Sequence, residues 1–427
     1  MPGTPVLGVS IDFANGPAFG NPLILDDPST PLGVGILADA PADVVDVSDI
    51  ALRVSIRRGR NRVLNSFEAG SATVVLEDES GDYNPQNSSG PYFGKLLPLR
   101  KIRIFADYDD GGGLERYYLF SGYITSFDNT FRLGLDEVST VTFQCVDAFR
   151  LLQNVQITPV AGSSAGQTTG ARIENLLDLA SFPVSQRVID VGDTLVQADP
   201  ATSRSLLAAC QNIEQSELGG FFIDDAGNAV FLSRSTVSEK ADKTPLLFND
   251  NGTDISYQSI DFAYDDTQIF NDITVTRLGG VAQNVQSTSS IETFFIHSGS
   301  RSDLLMQTDA EALDQASMLL NARENALLRI DSIGLNLMDS TASNRIVAGL
   351  ESDLFTLINV TKTGQASSTF TLELFVQGIQ HDITPNTWTT RFLTAEPIIQ
   401  AFILDSTIQG CLLYTSPSPR DKRQSRM

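Results

Sequence analysis

Short segments in which apolar and polar residues alternate dominate this sequence. The segments ALRVSI, VTFQCV and TFTLELFVQGIQHDI all show this period of two. Turn-forming residues separate such segments, and the run Gly111 to Gly113 ahead of YYLFSGYITSF predicts a hairpin. A period of two places successive side chains on opposite faces of a strand. The sequence therefore predicts a mainly β protein of antiparallel strands, each with one buried face.

Composition and charge exclude several classes of protein. The chain has 427 residues, 41% hydrophobic and 19% charged, which is enough for several domains with a sizeable core. No apolar run approaches the roughly 18 residues of a membrane span, and the first residues lack the basic and apolar regions of a secretory signal. With 29 Lys and Arg against 52 Asp and Glu, the net charge is -23. Because such a surface repels phosphates, we expect no tight binding to nucleic acid.

Changes of composition along the chain predict its domains. Residues 1–50 are rich in Pro, Gly and Asp and are expected to form an extended N-terminal arm. Two β domains, 51–152 and 251–410, each a β-barrel or sandwich, are separated by a small α+β insert domain at 153–250. No text repeats along the chain. The order of β region, helical insert and β region is nevertheless compatible with a structural duplication.

Helical spacing and capping residues predict the helices. Residues 173–180 have apolar side chains at i, i+3, i+4 and i+7, which is typical of an amphipathic helix. A second helix in the insert domain is expected to have Ser203 as its N-cap. Its apolar stripe comprises Leu206, Cys210 and Ile213. Asp147 is placed to cap a short helix at 148–152.

One helix is predicted to interrupt the second β domain. Thr308 and Glu311 have the spacing of a capping box. The apolar residues that follow at helical spacing are Leu313, Ala316 and Leu320.

Residues 411–427 differ from the rest of the chain. They carry four basic residues and one acid in an otherwise acidic protein. A basic disordered tail is one interpretation. The favoured interpretation is that Cys411 to Asp421 resembles a transposon-derived sequencing-library adapter translated in frame. The segment is then not native, and the natural chain is cut near Gly410.

No catalytic, cofactor-binding or metal-binding residue is predicted. The sequence has no GxSxG, GKS, GKT or HExxH motif. Its three cysteines, Cys145, Cys210 and Cys411, are far apart in sequence, which gives neither a zinc cluster nor a redox pair. Cys210 is expected to be a small core residue.

Three further features have a functional and a structural interpretation. The natural chain has one dense basic cluster, made of Arg57, Arg58, Arg60 and Arg62. This cluster either docks on a neighbouring copy or partner or is a solvated turn. His381 beside Asp382 resembles a general base, but strand neighbours point to opposite faces, which favours a structural histidine. The acidic runs 77–82 and 107–110 do not match a twelve-residue calcium loop, so we expect solvated turns.

Two sets of segments, taken together, have a distinctive pattern of turns and core residues. In the first β domain these segments are FEAGSATVVLEDESGDYNPQN, GPYFGKLLPLRKIRI, YLFSGYITSF and VTFQCVDAFRLL. In the second they are IFNDITVTR, SGSRSDLL, DAEALDQASMLLNAR and FVQGIQHDITPNTWTT. In combination they resemble the hub-type minor tail proteins of tailed bacteriophages, a family related to the baseplate hub of contractile tails. The positions that match the family's strands, turns and closing hairpin are Gly70, Thr73, Leu76, Tyr83, Asn84, Pro85, Phe120, Gly122, Tyr123, Asp147, Asn271, Gly378, His381, Ile383 and Trp388. The chain departs from the family at Ile296, His297 and Ser298, where an aromatic residue is usual, so local packing there is expected to differ.

The resemblance implies a non-enzymatic structural protein of the virion, at the tail tip, made in the cytoplasm of the host bacterium. Three copies would form a ring-shaped hub that connects the tail tube to tip proteins and lets the genome pass. The implied partners are further copies of the chain and the tail tube, distal tail, tape-measure and tip or fibre proteins, with no cofactor. A trimer matches a sixfold tube if each subunit presents two similar β domains side by side. The alternative is a tail-associated peptidoglycan hydrolase whose catalytic domain lies beyond residue 410.

Overall fold

The structure is a computed structural model, and it describes residues 3–13, 19, 44–60, 66–132, 138–158, 163–364 and 369–397. Most of the arm predicted at 1–50 and all of the tail predicted at 411–427 lie outside the described residues. No helix of the described part is both long and apolar enough to cross a lipid bilayer.

The first β region contains strands of very different length. Its strands are β1 (Val6–Asp12), β2 (Val44–Asp46), β3 (Ala51–Gly59), β4 (Ser71–Glu77), β5 (Arg100–Asp109), β6 (Leu114–Thr130) and β7 (Thr140–Val146). A 3-10 helix, Ser48–Ile50, precedes β3, and helix α1 (Phe149–Asn154) follows β7. The described residues of the predicted arm belong to this region, because β1 pairs with β5 along its whole length.

The insert combines helices with short strands. Its elements are β8 (Gln156–Ile157), β9 (Gln167–Thr168), α2 (Thr169–Leu179), the 3-10 helix Val184–Gln186, β10 (Arg187–Ile189), β11 (Leu195–Val196), β12 (Arg204–Ser205), α3 (Leu206–Glu217), β13 (Gly220–Ile223), β14 (Ala229–Leu232) and α4 (Arg234–Lys240). Strands β13 and β14 form the hairpin that the sequence FFIDDAGNAVFL indicates, and β10 extends it to a three-stranded sheet.

The second β region is interrupted by helices. Its elements are β15 (Leu246–Asn249), β16 (Ile255–Ser256), β17 (Ser259–Ala263), β18 (Asp272–Arg277), β19 (Gln283–Gln286), α5 (Thr288–Phe294), β20 (Ser298–Leu304), α6 (Asp309–Arg323), β21 (Arg329–Asn336), α7 (Ser343–Glu351), β22 (Leu357–Lys362), β23 (Phe370–Thr384) and β24 (Thr387–Ala395). Strands β18, β19 and β20 form a separate sheet. This sheet packs with α6 around a small core of its own, which the sequence did not predict.

The two β regions contain the same five-stranded antiparallel unit. In the first unit the hydrogen-bonded order is β3-β4-β7-β6-β5, and in the second it is β17-β21-β24-β23-β22. In both units the strands, numbered along the chain, lie in the order first, second, fifth, fourth, third. The shared strand order is a duplication of topology, with which the order of regions in the sequence is compatible. The units lie side by side in one 14-stranded sheet, because β23 of the second unit pairs with β3 of the first.

A β-bulge at the same place fixes the residue equivalence between the units. The fourth strand is bulged at Thr125 in β6 and at Gln377 in β23, in each case opposite the fifth strand. Counting from the bulge, Phe143 of β7 and Phe392 of β24 occupy equivalent positions. Both phenylalanines are fully buried. The duplication therefore extends from strand order to the centre of each core.

One core joins the insert to both β units. Phe67, Phe222 and Phe355 meet there, with ring centroids 5.2 to 6.1 Å apart. Phe149 at the start of α1 stacks on Phe221 of the insert at 5.4 Å. Such offset and tilted aromatic pairs add to the stabilisation from burial. The insert is thus packed into the body of the protein.

The predicted helices are confirmed, with corrections to their ends. The capping box of Thr308 and Glu311 is present at the start of α6. Leu313, predicted on the buried stripe of α6, is 39% exposed, because the buried stripe runs through Ala312, Ala316 and Leu319 instead. The predicted N-cap Ser203 is wrong. Helix α3 begins two residues later than expected, and the hydroxyl of Ser205 caps it by accepting from the Ala208 N–H.

Two further expectations fail for physical reasons. A single helix was expected in the second β region, yet α5 and α7 are also present. Helix α7 has no side-chain N-cap and contains a glycine, so its local signal is weak. Strand β5 was expected to have one buried face, but Lys101, Arg103 and Phe105 on its other face are buried as well. The Lys101 ammonium donates to the Phe19 carbonyl, and burial lowers its pKa to about 7.

Candidate assembly site

The two units meet where β3 pairs with β23, and we call this pairing the intrachain junction. Its register runs antiparallel from Val54 opposite Ile383 to Gly59 opposite Gly378. Gly59 has φ +95°, and a Cβ there would lie 2.3 Å from the Gln377 carbonyl oxygen. Only glycine permits both this conformation and this approach. The backbones of β3 and β23 therefore approach each other most closely at Gly59, the last pair of the junction.

The two faces of the junction carry different chemistry. On the buried face, His381 is 2% exposed, and its Nδ1 lies 2.9 Å from the Thr390 hydroxyl. On the outer face, Asp382 accepts a hydrogen bond of 2.7 Å from the Ser55 hydroxyl. Asp382 points away from the imidazole, as the period of the strand predicts, and the contacts of His381 are those of a structural histidine. Burial lowers the pKa of His381 to about 3, so it is neutral at physiological pH.

Arg58 ties the junction to two other parts of the chain. Its side chain is buried, and its guanidinium donates to Asp353 at 3.0 Å and lies 4.0 Å from Asp225 of the insert. Burial alone would lower the pKa of Arg58, but Asp353, Asp225 and Asp224 outweigh it and raise the pKa. Arg58 therefore remains charged and joins both β units and the insert electrostatically.

Arg60 makes a second buried set of contacts at the same end of β3. Its Nε donates to Gln377 at 2.9 Å, and its guanidinium stacks 4.3 Å from the centroid of the Phe67 ring. Glu214 of helix α3 lies 3.8 Å away. Burial raises the pKa of Glu214 to about 8 and lowers the pKa of Arg60 to about 10. The attraction between the two charges opposes both shifts but is the smaller effect.

The basic cluster predicted from the sequence therefore has a role that neither interpretation gave it. Arg58 and Arg60 lie inside the chain, at the junction of three regions, so they neither form a solvated turn nor dock on another molecule. Arg57 points outwards, 43% exposed, towards Glu68 at 3.6 Å. Arg62 lies outside the described residues.

The acidic runs are only partly turns, because Glu77 ends β4 and residues 107–109 belong to β5. Asp109 accepts hydrogen bonds from the N–H groups of Gly111 and Gly113, and Asp107 pairs with Arg116 at 2.8 Å. The expectation of a solvated turn is wrong for Asp78, which is only 5% exposed. Burial raises the pKa of Asp78. Within the described residues, no group of three or more His, Cys, Asp or Glu side chains is placed to hold a metal ion.

Asn271, one of the family positions, organises the segment where the chain departs from the family. Its side chain is fully buried, donates to the Phe295 carbonyl at 2.8 Å and accepts from the His297 N–H at 2.7 Å. The backbone turns sharply there, with Phe295 at φ +66°. The polar side chain of Asn271 thus holds a loop in which the phenylalanine ring is 78% exposed.

Asp147 links α1 to the start of β4. One carboxylate oxygen accepts from the Phe149 N–H at 2.9 Å, and the other accepts from the Gly70 N–H at 2.6 Å. The predicted N-cap is one residue too early, because α1 has Ala148 as its N-cap. Burial raises the pKa of Asp147 to about 7, although these hydrogen bonds and the charge of Arg58 oppose the change.

Asp147 should give the protein a measurable pH dependence. Between the carboxyl pKa of an unfolded chain, about 4, and its raised folded value, the folded state holds a proton that the unfolded state has lost, so stability falls as pH rises. From pH 5 to pH 7 we expect the wild-type protein to lose about 2 kcal/mol more unfolding free energy than Asp147→Asn. Urea denaturation at both pH values measures this difference, and all other titrating groups are common to the two proteins. The exposed control Asp128→Asn should keep the wild-type slope. An Asp147→Asn protein with that same slope would contradict the assignment.

Two strand edges have no partner strand among the described residues, and neither edge was predicted from the sequence. The β17 edge, residues 259–263, pairs only with β21 within the described part of the chain, and it exposes 55% of Phe262. Tyr264, the residue after this strand, is 69% exposed. The β6 edge, residues 126–130, pairs only with β7 in that part of the chain. Phe131, the residue after this strand, is 57% exposed. Alternation of Ile260, Phe262 and Tyr264 was the available signal, because it predicts a strand with one apolar face.

Solved structures of tail proteins are similar to this architecture. No family model and no curated protein sequence matches the chain. The tail protein from Neisseria meningitidis MC58 is similar over 92% of this chain and 98% of its own, with 13% identity and a TM-score of 0.54. The 43 kDa tail protein of prophage MuSo2 from Shewanella oneidensis covers 83% of this chain and 96% of its own, with 14% identity and a TM-score of 0.49. A prophage tail protein from Listeria monocytogenes EGD-e covers 83% and 92%, with 9% identity and a TM-score of 0.48. The first likeness, the one of these three above 0.5, supports the assignment: this chain has the fold of a tail protein, as its sequence resemblance implies.

Proposed function

We propose that this chain is a structural, non-enzymatic component of a bacteriophage virion. In this proposal, three copies form a ring-shaped hub at the tail tip, which connects the tail tube to tip proteins and leaves a channel for the genome. The observation that carries the proposal is the duplicated five-stranded unit. Two similar units in each of three chains give six quasi-equivalent positions, which is what a sixfold tube requires of a trimeric adaptor.

Two further observations support a structural role in the virion. The likeness to a tail-protein fold extends over nearly the whole chain, 92% of it. The net charge of -23 disfavours adhesion to DNA, which suits a protein that the genome passes. The proposed partners are further copies of the chain, the tail tube, and the distal tail, tape-measure and tip or fibre proteins. Synthesis in the host cytoplasm would precede assembly into the virion.

The oligomeric state tests this proposal directly. We expect mass photometry of the purified chain to show a species of about 139 kDa, three times the 46.2 kDa of one chain. Negative-stain electron microscopy of that species should show six lobes around a central opening. A protein that remains strictly monomeric at micromolar concentration would refute the hub function.

A further inference from the structure

The intrachain junction and the two unpaired edges involve equivalent strands of the two units. At the junction, the fourth strand of the second unit, β23, pairs with the first strand of the first unit, β3. The β6 edge belongs to the fourth strand of the first unit, and the β17 edge to the first strand of the second unit. A pairing of β6 with β17 would therefore repeat the junction with the two units exchanged.

The bulges and strand pairings show which residues of the two edges are equivalent to the paired residues of the junction. Counting from the bulges at Thr125 and Gln377, residues 126–131 correspond to 378–383. In the first strands, Val54 corresponds to Ile260, because each is connected through the second strand to the equivalent phenylalanine of the fifth. The junction pairs Val54–Ile383 and Ser55–Asp382 become Ile260–Phe131 and Asp261–Thr130. The register of β17 with β21 shifts between Asp261 and Phe262, because Asp331 of β21 is an extra residue there. Counting along β17 itself, the pair Ile56–His381 becomes Phe262–Asn129.

Side-chain exposure supports the equivalence. At the filled junction, Ile56 is 3% exposed and Ile383 is 2% exposed. Their counterparts at the unfilled edges, Phe262 and Phe131, are 55% and 57% exposed. The same positions are thus apolar in both places but are covered in only one. Apolar residues on an unpaired strand edge indicate a surface that a further strand covers.

The outer face offers a matching polar pair. At the junction, Ser55 donates its hydroxyl hydrogen to Asp382. At the edges the same two groups lie on the opposite strands. Asp261 of β17 is equivalent to Ser55, and Thr130 of β6 is equivalent to Asp382. The hydrogen bonds that Ser332 and Arg391 donate to Asp261 both end on Oδ2, so Oδ1 can accept from Thr130.

We propose that β17 of one copy pairs antiparallel with residues 126–131 of a second copy, which are the end of β6 and the residue after it, with Asp261 opposite Thr130. Each chain offers one edge of each kind, so the copies join head to tail, a heterologous contact that closes a ring. The number of copies in the ring, three, rests on the proposed function. The partner strand at each edge comes from a second copy of this chain, because the pairing of β3 with β23 within the chain already has the register that the two edges would form.

Disulfide trapping tests the register. In the variant Asp261→Cys with Thr130→Cys, the two cysteines of adjacent copies would lie directly opposite, within the range that a disulfide spans. Ala263→Cys with Asp128→Cys is a second in-register pair, which keeps the contacts of Asp261 with Ser332 and Arg391. Cys145 and Cys210 are buried, and Cys411, outside the described residues, is replaced by serine in every variant.

The matched control is Asp261→Cys with Ser126→Cys, four residues out of register, or about 13 Å along the strand. Mild oxidation should convert most of each in-register variant from 46.2 kDa chains into linked trimers of about 139 kDa on a non-reducing gel. The control should remain unlinked. A trimer by mass photometry whose in-register cysteines do not link, or link no better than the control, would overturn this pairing and leave the hub function standing. Monomers that do not link would overturn both.

Discussion

Replacing Arg58 by methionine is expected to lower the free energy of unfolding by about 3 kcal/mol, near the lower end of the range for breaking a buried ion pair. Arg58 is 5% exposed and donates to Asp353 at 3.0 Å, with Asp225 at 4.0 Å. Without the guanidinium, Asp353 and Asp225 face each other and Asp224 without a compensating charge. The expected loss is not larger because the Asp353 and Asp225 side chains keep 34% and 28% of their surface in water.

The adjacent arginine on the same strand provides a matched control. Arg57 is 43% exposed and lies 3.6 Å from an exposed Glu68. An ion pair of this kind contributes little, so Arg57→Met should change the unfolding free energy by less than about 1 kcal/mol. Urea denaturation of both variants at pH 7 measures the contrast. Equal losses for the two variants would show that Arg58 is not the centre of the junction.

Removing the central phenylalanine of either β unit should destabilise the protein by about 3 to 5 kcal/mol, the usual cost of truncating a buried phenylalanine to alanine. Phe143 and Phe392 are both fully buried at equivalent positions of the fifth strand. Phe143 packs against Phe127 and Tyr83 at centroid distances of 5.1 and 5.8 Å, and Phe392 lies 6.4 Å from Phe248. Because the units are duplicated, we expect the losses from Phe143→Ala and Phe392→Ala to be of similar size.

Chemical denaturation of the two single variants checks this expectation. Phe93→Ala serves as the control, because Phe93 is 52% exposed and its loss should cost less than about 0.5 kcal/mol. If one of the buried phenylalanines cost as little as Phe93, the two cores would not be equivalent, and the quasi-sixfold argument would lose its energetic basis.

The candidate site shows where sequence analysis succeeds and fails. The sequence predicted that His381 and Asp382 point to opposite faces, because that follows from the period of a strand alone. It could not place Arg58 or Arg60, since their partners, Asp353 and Glu214, are distant in sequence and belong to other elements. A run of arginines has the same local pattern in a solvated turn, in an interface between molecules and in a buried junction.

Strand burial shows the same limit. The alternation in β4 predicted one buried face, and Ala72, Val74 and Leu76 are buried while their neighbours are less so. The same pattern in β5 gave the wrong answer for Lys101 and Arg103. The Lys101 ammonium donates to the Phe19 carbonyl, and the Arg103 guanidinium lies 5.8 Å from the centroid of the Tyr118 ring. Neither contact leaves a trace in the alternation.

The sequence by itself determined the elements of this protein whose hydrogen bonds and apolar contacts are local. Alternation, helical spacing and the capping box at Thr308 depend on residues two to four positions apart, so they are visible in the text. Only the tertiary structure decided the order of strands, the repeat of the five-stranded unit and the pairing of β3 with β23. Strand pairing uses backbone groups that every residue carries, so residues hundreds of positions apart can pair without any similarity in sequence. That is why two units with the same topology share no repeated text.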